Sequence, residues 1–515
     1  MSTIREIARR PTLSTALALD LVKRTRATEV TENADEIERG IRTRVDPQKR
    51  HGFDLAVRIM RLGPYAASLR SNRPHCARRS LSDAAMLARA LVDAGKARLA
   101  VRYVRFCARR WPRANWIATV MASALYRSGD PEAALAYLEV HRSPASNRDI
   151  EVSRQMVLLN MGELQRALDL FHALSSKPNP PMITPAILQA ELSLGNLEAA
   201  RRLLQQSSEN PGQALVNIPQ FRATQNGQLM TELEVCHRMQ NDGVKPYDPR
   251  LVSSFFAPAR AVLSNWVVRQ AKRPNCDEPS RVPKKIFQYW DKVDVPSELV
   301  QVMAHWKDVP GWAYVRFHRN QALAWLRDVW GDDHVRAFRM ARQAAEGADF
   351  FRLCLLAAEG GVYADADDML IGAPDDLLAL GPGLVLFREP HGSVANNLIA
   401  APPQHPVMTR AVEMACASML ARENDNVWTK TGPGLLTRAA ALHVLENPIQ
   451  AEGDMTLLPQ HKMYPVVQPH LRMPYKATQA YWNSDRTTGN TDLQAALQLF
   501  LTSTSGNTVH RTAGC

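Results

Sequence analysis

Four glycines recur at nearly constant spacing in the first half of the chain, and this repeat restricts the fold more than any other feature of the sequence. Gly95, Gly129, Gly162 and Gly195 are 34, 33 and 33 residues apart, and each is followed five residues later by an alanine. Glycine adopts the left-handed conformation that ends a helix, and a small alanine lets two helices approach closely. The pattern therefore predicts helix–turn–helix units, which bury their apolar faces only by packing against one another.

Prolines follow these units, as expected if each second helix has to stop. Pro112, Pro178 and Pro211 close three of the units, and Pro144 lies slightly early in the other; proline ends a helix because it lacks a backbone N–H and clashes with the preceding turn. The region from Ser82 to Pro211 resembles tetratricopeptide repeats, which have a period of about 34 residues. A closed bundle of hairpins is the alternative to an open array. The resemblance implies a surface for a protein partner and nothing about chemistry.

Charge and cysteine content narrow the classes of function. The 515-residue chain has a formal net charge of +12, which suits nucleic acid, anionic lipid headgroups or phosphorylated substrates as partners. We expect no nucleic-acid binding, because no helix-turn-helix, zinc-finger or base-stacking signature accompanies the charge. The seven dispersed cysteines form no closely spaced pairs and suit a reducing cytosol. No apolar run approaches the ~20 residues that span a bilayer, so we expect a cytoplasmic protein that at most contacts the anionic inner face of a membrane.

The sequence predicts an all-α N-terminal part followed by an α/β domain. At about Arg281 aromatic residues cluster and strand-like runs begin to alternate with helices, which is typical of α/β domains. The predicted regions are an N-terminal helical or partly ordered segment (1–75), the helical repeats (76–212), a helical connector (213–280) and a catalytic domain (281–515).

One run in the C-terminal region combines a helix, a helix stop, an apolar strand and a pair of carboxylates. Residues 348–359 place apolar side chains at helical intervals, and the Gly-Gly pair after them ends the helix. Residues 362–364 then form a short apolar strand that delivers Asp365 and Asp367 to its end. Ligands of open α/β sheets lie beyond the carboxyl ends of strands, so these two residues are the candidate catalytic and metal-binding pair.

Strand geometry predicts what two such carboxylates can do. Side chains alternate along a strand, which predicts that Asp365 and Asp367 face one side and Ala366 the other. Carboxylate oxygens suit hard cations such as Mn²⁺ or Mg²⁺, and such an ion stabilises an anionic leaving group as a Lewis acid. Asp368 either faces solvent or supports the pair from behind. An acidic turn exposed to water is the alternative, but it gives no reason for an apolar strand directly before the acids.

Four runs of sequence resemble a known enzyme family. They are VPKKIFQYW, ADFFRLCLLAAEGGVYADADD, NNLIAAPPQHPVM and TGPGLL. Together they are similar to the Asp-x-Asp sugar-binding glycosyltransferases called family 32, over residues 282 to 485. The resemblance implies a Rossmann-like glycosyltransferase A fold, a nucleotide-sugar donor such as a UDP- or GDP-sugar, a bound Mn²⁺ or Mg²⁺, and a retaining reaction.

The resemblance also implies roles for individual residues. Asp365 and Asp367 match the family's Asp-x-Asp. Asn483 or Ser484 lies near a final metal-binding position, although the histidine that often accompanies it is missing here. Tyr289 and Trp290 are implied to lie near the base of the donor, and Asp349 and Arg352 are implied to contact its sugar. Asn396 or Asn397 matches a polar position near the active site, and Gly432 and Gly434 match a loop that lines the cleft.

Each of these residues also has a structural interpretation. At least one of the aromatic side chains at 287, 289 and 290 is expected in the core. Arg352 pairs with Asp349 or Glu359 if its role is structural, the asparagines are turn formers, and the glycines mark a turn. The spacing shared with the family favours the functional interpretation in each case.

The sequence thus predicts transfer of a sugar from a nucleotide donor to a hydroxyl of a saccharide, a glycolipid or a protein. A polypeptide acceptor held by the helical repeats is one alternative. A non-catalytic interaction scaffold with a degenerate transferase domain is another, and donor turnover that disappears in a folded Asp367→Ala variant would reject it.

Overall fold

In the computed structural model the chain divides into two compact units. The first comprises Met1–Ile150, Pro296–Gln301 and His470–Tyr481, and the second comprises Glu151–Val295, Val302–Pro469 and Trp482–Cys515. The residues that the structure describes are 18–19, 22, 41–43, 45–50, 52–59, 81–112, 114, 116–141, 148–175, 185–209, 224–270, 278–423, 426–471, 473 and 476.

Two helical hairpins occupy residues 81 to 140 of the first unit. Their helices are α1 (Leu81–Asp93), α2 (Ala97–Arg110), α3 (Trp116–Arg127) and α4 (Pro131–Val140). The turn residues Gly95 and Gly129 have φ angles of +73° and +91°, in the left-handed region that glycine enters at no steric cost. Ala100 and Ala134 are fully buried, so the second helix of each hairpin presents its small residue to the interior.

The same hairpin occurs twice in the helical part of the second unit. The helices here are α5 (Arg148–Met161), α6 (Leu164–Ser175), α7 (Pro185–Ser193), α8 (Leu197–Glu209), α9 (Gln225–Asn241), α10 (Pro249–Ser254) and α11 (Phe256–Gln270). Gly162 and Gly195 both have φ angles of +80°, and Ala167 and Ala200 are fully buried. The glycine turns and buried alanines that the spacing predicts are therefore present at all four positions.

A mixed β-sheet forms the frame of the C-terminal part. The strands are β1 (Lys285–Tyr289), β2 (Ala313–Phe317), β3 (Gly361–Ala364), β4 (Met369–Leu370), β5 (Leu384–Arg388), β6 (Leu398–Ala401), β7 (Met455–Pro459) and β8 (Val467–Gln468). Six of them form one sheet in the order β2-β1-β3-β6-β5-β7, and β4 pairs with β8 separately. Strand β6 is antiparallel to both of its neighbours, whereas the other pairs in the large sheet are parallel.

Helices also alternate with these strands, and several of them share one large apolar core with the sheet. The helices are α12 (Ser297–Lys307), α13 (Arg319–Trp330), α14 (Asp332–Arg339), α15 (Ala344–Glu359), α16 (Asp375–Leu378), α17 (Pro406–Leu420), α18 (Val427–Lys430), α19 (Pro433–Glu446) and α20 (Pro448–Asp454). The core joins side chains of α11, α15, α17 and α19 to those of β3, β5 and β6. Within the described part of the chain, no helix combines the length and the apolar character that a bilayer span requires.

Helix α15 begins four residues earlier than the sequence predicts. Its first residue is Ala344, and the Glu346 carboxylate accepts a hydrogen bond from the backbone N–H of Arg342 at 2.6 Å. This bond holds Arg342, the residue before the N-cap Gln343, against the first turn of the helix. Gly347 lies inside the helix because the ring of Phe338 occupies the space beside it, 3.3 Å from where a Cβ would be.

A buried carboxylate between two histidines joins three helices. Asp454 Oδ1 lies 3.0 Å from His443 Nε2, and Oδ2 lies 3.6 Å from His405 Nε2. Burial raises the pKa of Asp454, but hydrogen bonds from both imidazoles offset this and hold the pKa below its usual value. The spacing also suits a metal ion. However, His405 Nδ1 accepts the Val407 N–H at 3.2 Å, which leaves the proton of the neutral ring on Nε2, so hydrogen bonding accounts for this group.

Replacing Gly361 with alanine is expected to destabilise the second unit by about 2–6 kcal/mol. Gly361 has a φ angle of +109°, and a Cβ there would lie 2.8 Å from the backbone oxygen of Lys285. Thermal unfolding checks this prediction. Gly453→Ala is the matched control, because a Cβ at that position meets nothing within 4 Å; equal unfolding temperatures for the two variants would contradict the argument.

Candidate active site

Three strand ends and one strand start meet at a single edge of the large sheet. Strands β1, β3 and β5 end there at Tyr289, Ala364 and Arg388, and antiparallel β6 begins there at Leu398. The Asp365 N–H donates to the backbone oxygen of Asn397 at 2.9 Å, which fixes the residue after β3 beside the residue before β6. This is the edge at which open α/β sheets bind their ligands.

The chain reverses at this edge instead of continuing as a strand. Strand β3 ends at Ala364, and the Asp368 N–H donates to the backbone oxygen of Asp365 at 3.0 Å. The prediction that strand alternation places Asp365 and Asp367 on one side is therefore wrong in its mechanism, because both residues lie in a turn. The turn nevertheless keeps one carboxylate oxygen of Asp365 within 4.8 Å of one of Asp367, and Ala366 between them is buried.

The three acids of the turn differ in exposure. The Asp365 side chain is 26% exposed, Asp367 is 8% exposed, and Asp368 is fully buried. Asp368 accepts a hydrogen bond from Asn397 Nδ2 at 2.5 Å, and its backbone oxygen accepts one from Trp306 Nε1 at 2.7 Å. Asp368 therefore does not face solvent; it anchors the turn, while Asp365 and Asp367 are more exposed, and its support of a metal-binding pair stays a prediction.

Arg352 on α15 connects the turn to the helix. Its Nη2 lies 2.9 Å from Asp365 Oδ1 and 3.2 Å from Asp349 Oδ1, and its Nη1 donates to the backbone oxygen of Asn396 at 2.5 Å. The guanidinium also lies over the ring of Tyr363, 4.5 Å from the centroid. Burial lowers the pKa of Arg352, but the negative charge around it, chiefly that of Asp365, outweighs burial and raises the pKa above its usual value. Arg352 is therefore a fixed positive charge in the site.

Asp349 lies on the same helix, one turn before Arg352. Its Oδ1 accepts a hydrogen bond from Asn396 Nδ2 at 2.9 Å, and its Oδ2 lies 3.4 Å from the Thr431 hydroxyl. Gly432 follows Thr431, and a Cβ there would lie 3.1 Å from Asp349 Oδ2. Burial raises the pKa of Asp349 to about 6, although Arg352 and the two hydrogen bonds oppose the shift. The structure thus brings together the helix residues, the asparagines and the glycine loop that the sequence singled out separately.

The aromatic residues of β1 divide between core and surface. Tyr289 is buried, packs against Phe351 with centroids 5.6 Å apart, and donates its hydroxyl hydrogen to Asp291 at 2.7 Å. Trp290 is partly exposed and donates from Nε1 to the backbone oxygen of Asp294 at 3.2 Å. Tyr289 therefore has a core role in the described structure, as at least one of these side chains was expected to have, and contact with a base stays a prediction for both.

The oxygen atoms at this edge fit a hard divalent cation. Asp365 and Asp367 offer neighbouring carboxylates. Asn397 holds its amide nitrogen against Asp368, and its Oδ1 is a buried atom for which the described residues supply no hydrogen-bond partner. A buried amide oxygen left unpaired is unfavourable, and carboxylate and amide oxygens are the ligands that Mg²⁺ and Mn²⁺ prefer. Asn483, the other predicted metal ligand, and Ser484 lie outside the described residues.

The glycine loop is packed against tryptophan. A Cβ on Gly434 would lie 2.7 Å from ring atoms of Trp428, and Gly432 precedes the first residue of α19. Trp428 also contacts Phe256 of α11 edge to face, with centroids 4.6 Å apart. The two glycines are thus required where α19 begins next to Asp349, and the cleft-lining role implied by the resemblance stays a prediction.

Several supporting residues are absent from the sequence-based prediction. Gln288 donates from Nε2 to the backbone oxygen of Asp365 at 3.1 Å, and Thr431 approaches Asp349 directly. Buried Lys430 forms an ion pair with buried Glu346 of α15, with 3.0 Å between Lys430 Nζ and Glu346 Oε1. Gln288 precedes the predicted site residue Tyr289, and Thr431 precedes the predicted site residue Gly432. Their position next to predicted site residues is a signal that the sequence contains. The Lys430–Glu346 pair joins positions far apart in the chain and leaves no such signal.

Comparisons with known proteins agree with this geometry. Residues 299–381 match the family described as "Glycosyltransferase sugar-binding region containing DXD motif", and this segment includes α15, β3 and the acidic turn. An uncharacterized glycosyltransferase of Acanthamoeba polyphaga mimivirus is 24% identical over 208 residues, which are 39% of this chain and 80% of that protein. The match and this relative support a glycosyltransferase.

Two fungal proteins are similar over a shorter stretch. A mannosyl phosphorylinositol ceramide synthase of Saccharomyces cerevisiae is 28% identical over 144 residues, and the initiation-specific alpha-1,6-mannosyltransferase of Candida albicans is 26% identical over 137 residues. These stretches are 26% and 25% of this chain, and the chain spans 35% of each fungal protein. Among solved structures, the PaToxG glycosyltransferase is similar with a TM-score of 0.28 and 18% identity, over 38% of this chain and 79% of that chain.

Proposed function

We propose that the second unit is a metal-dependent glycosyltransferase that moves a sugar from a nucleotide-sugar donor to an acceptor hydroxyl and retains the anomeric configuration. The main support for the proposal is the acidic turn. Asp365 and Asp367 follow a buried strand, and a carboxylate oxygen of one lies within 4.8 Å of a carboxylate oxygen of the other. The neighbouring Asn397 has a buried Oδ1 with which no described residue forms a hydrogen bond. A nucleoside diphosphate is a strongly anionic leaving group, and this donor set suits the cation that would neutralise it. The mixed sheet is compatible with the glycosyltransferase A fold implied by the sequence.

The side chains around the turn have separate roles in this proposal. Asp365 and Asp367 would hold Mn²⁺ or Mg²⁺, which when bound supplies Lewis-acid stabilisation of the departing diphosphate. Arg352, Asp349 and Asn396 form a rigid hydrogen-bonded group beside them. Their charges and amides would orient the sugar, because preorganised polar groups stabilise developing charge without rearranging during the reaction.

The transfer itself needs little further chemistry from the protein. The bond between the anomeric carbon and the diphosphate oxygen breaks, and the acceptor oxygen forms a bond to the same carbon. The leaving phosphate oxygen takes the acceptor's proton, so no enzymic base is required for a retaining, front-face reaction. Arg352 remains cationic throughout, because the surrounding acids raise its pKa, and it stabilises the negative charge that develops on the phosphate side.

The fungal relatives suggest the kind of sugar and acceptor. One is named as a mannosyl phosphorylinositol ceramide synthase and the other as an alpha-1,6-mannosyltransferase. We therefore propose a hexose donor such as a GDP- or UDP-sugar, and a saccharide or glycolipid acceptor. We also propose that the protein is cytoplasmic and contacts an anionic membrane surface.

A thermal-shift screen of nucleotide sugars tests the proposal. A donor that binds only the folded protein raises the unfolding temperature, and the rise grows with the ratio of donor concentration to Kd. We expect one base and sugar combination to give a shift with Mn²⁺ that EDTA abolishes, followed by slow release of free sugar from that donor. Absence of any metal-dependent shift across UDP-, GDP-, ADP- and CMP-sugars would contradict the proposal.

The pH dependence of donor use should report on Asp349. Its pKa is raised to about 6, so the carboxyl becomes protonated as the pH falls through that value and no longer accepts hydrogen bonds from sugar hydroxyls on both oxygens. We expect kcat/KM for the donor to fall below pH 6 and the Asp349→Asn variant to lose this acid limb. The free energy of unfolding depends on pH in the opposite direction. The raised pKa means that folded Asp349 keeps its proton to a higher pH than in the unfolded chain. The stabilising contribution of Asp349 is therefore fully present below about pH 4 and disappears as the pH rises through about 6.

The control for this experiment is an acid with ordinary surroundings. Asp328 is exposed on α13, and Asp328→Asn should keep the wild-type pH profile. A profile that is flat in wild type between pH 5 and 8, or an acid limb that persists unchanged in Asp349→Asn, would remove Asp349 from the sugar site.

A further inference from the structure

Two arginines lie near the edge of the sheet that carries the acidic turn, one at the end of β5 and one against Gly392 in the loop that follows β5. Arg388 is the last residue of β5, and Arg260 lies on α11; we call them the arginine pair. Strand β6 separates β5 from β3, so with strand spacings of ~4.8 Å the end of β5 is about 10 Å from the strand that delivers Asp365. Leu384 and Leu386 of β5 belong to the core shared with α11 and α15. Alternation therefore places the Arg388 side chain on that same face of the sheet.

The positive charges of the arginine pair are poorly compensated. Arg260 is 4% exposed. Among the described residues its Nε finds no hydrogen-bond partner, and its Nη2 donates at the long distance of 3.5 Å to the backbone oxygen of Leu192. Arg388 is partly buried, and within the described parts of the chain no hydrogen bond or carboxylate within ion-pair distance engages its guanidinium. A buried charge without a partner is strongly unfavourable, so an anionic partner from outside the chain would stabilise this arrangement.

The pKa shifts of both arginines agree with poorly compensated charges. Burial chiefly, together with the nearby charge of Arg388, lowers the pKa of Arg260 to about 10, against the opposing effect of Glu232. Burial also lowers the pKa of Arg388, which Glu163 opposes. Glu232 is itself engaged, because its Oε2 accepts the N–H of Ala257 at 2.8 Å. Two like charges thus share a site of low polarity.

A continuous set of contacts joins the arginine pair to the sugar side of the active site. Gly392, in the loop after β5, lies against the aliphatic part of the Arg260 side chain. A Cβ added to Gly392 would lie 2.7 Å from Arg260 Cδ. Its neighbour His391 faces the Trp428 indole with ring centroids 6.1 Å apart. Trp428 and Asp349 both lie against Gly432, at 3.1 Å from its Cβ position. The loop between β5 and β6 therefore runs from the arginine pair to the residues that would orient the donor sugar.

The direction of this path indicates which substrate the pair would meet. The family resemblance implies that the base lies near Tyr289 and Trp290, at the end of β1. In the proposed function the diphosphate lies at Asp365 and Asp367, next to β3. The arginine pair is on the opposite side, beyond β6, a side that the base and diphosphate in this arrangement leave open to the acceptor. We propose that Arg260 and Arg388 bind a phosphate group of the acceptor, so that the hydroxyl that receives the sugar belongs to a phosphate ester. Guanidinium groups suit this role because their fixed forks of N–H donors match phosphate oxygens.

The inference rests on the proposed glycosyl transfer, but its first test does not. Glycerol 3-phosphate binding to the full chain is measured by calorimetry in EDTA, which keeps metal-dependent diphosphate binding out of the measurement. We expect wild type to bind and Arg388→Gln to bind about ten- to a hundredfold more weakly, as for loss of a charged hydrogen bond. Arg388→Lys should recover part of the affinity. The matched control is Arg327→Gln, which removes the same charge from an exposed position on α13 and should bind like wild type.

Thermal unfolding separates this role from a structural one. If Arg388 is an uncompensated charge awaiting a ligand, Arg388→Gln should unfold at the same temperature as wild type or higher without phosphate, and should gain less from added phosphate. A structural arginine would give a lower unfolding temperature in both conditions. That result, or equal weakening of binding in Arg327→Gln, would overturn the phosphate site.

The second test asks whether the phosphate belongs to the acceptor. Sugar transfer to glycerol 3-phosphate is compared with transfer to glycerol, and transfer to vesicles of phosphatidylglycerol in phosphatidylcholine with transfer to vesicles of diacylglycerol in phosphatidylcholine. Preference for the ester in solution identifies a soluble acceptor, and preference only in vesicles identifies a lipid headgroup. Arg388→Gln should reduce kcat/KM for the preferred ester at least about tenfold.

Failure of the two proposals can be told apart. Donor hydrolysis by wild type, measured without any acceptor, tests the transferase alone. Hydrolysis with no phosphate binding would overturn the phosphate site and leave the transferase standing. Phosphate binding with hydrolysis, but with no transfer preference for any ester over its dephosphorylated partner, would overturn the acceptor assignment and mark an effector site instead. Absence of hydrolysis and of metal-dependent donor binding would overturn the transferase itself.

Discussion

Asp367→Asn is expected to reduce sugar transfer about a thousandfold while the protein remains folded. The substitution keeps the size of the side chain and removes one of the two charges that would hold the cation, and a loss of about 4 kcal/mol in stabilisation of the departing diphosphate corresponds to that factor. Asp367 is largely buried in a turn that Asp368, Asn397 and Trp306 anchor independently. The turn should therefore keep its conformation, and the loss should appear in kcat and in the Mn²⁺-dependent shift of the unfolding temperature.

Asp365→Asn provides the contrast. Asp365 also pairs with Arg352, so its amide variant should lose both transfer and stability, whereas Asp367→Asn should lose mainly transfer. Asp328→Asn, on the exposed side of α13, controls for the loss of one negative charge. Transfer within tenfold of wild type in Asp367→Asn, or an unchanged response to Mn²⁺, would exclude Asp367 from the metal site and leave the acidic turn without its proposed role.

Local features of the site could be predicted from the sequence because local physics determines them. Glycine at the end of a helix, a run of apolar residues after it and an acidic pair beyond the run are each encoded within a few residues. The structure places α15, β3 and the acidic turn in this order. The four glycine turns followed by buried alanines are encoded in the same way, by the steric freedom of one residue and the small size of another.

The parts that the sequence did not reveal depend on contacts between distant segments. Strand β3 ends at Ala364 because its neighbour β6 begins at Leu398. No residue near Ala364 in the sequence indicates that the strand ends there. Asp368 is buried because Asn397, from the next strand, meets it. Arg260 and Arg388 are 128 positions apart in the chain and come together only when α11 packs beside the core that contains β5. Periodicity within a segment carries no information about such pairings.

Arg352→Met is expected to lower the free energy of unfolding of the second unit by about 3–5 kcal/mol, the usual effect of removing one member of a buried ion pair. Arg352 is 4% exposed and is the cation that Asp349 and Asp365 share. Without it, two carboxylates would remain in a site of low polarity with fewer donors. Urea unfolding measures the loss, and Arg352→Lys should recover part of it, since lysine restores the charge without the planar fork of donors.

The pH dependence of the same variant separates electrostatics from packing. The charge of Arg352 opposes the upward shift of the Asp349 pKa, so removing it should raise that pKa above about 6. The free energy lost in Arg352→Met should then be smaller at low pH, where Asp349 is protonated and needs no cation, and larger above pH 6. In the Asp349→Asn background the loss should shrink, because only Asp365 is left unpaired, and the difference between the two backgrounds measures the coupling. A loss that is independent of pH and equal in both backgrounds would mean that Arg352 stabilises the site through its stacking on Tyr363 and its hydrogen bond to Asn396, and not through the charge on which the proposed sugar site depends.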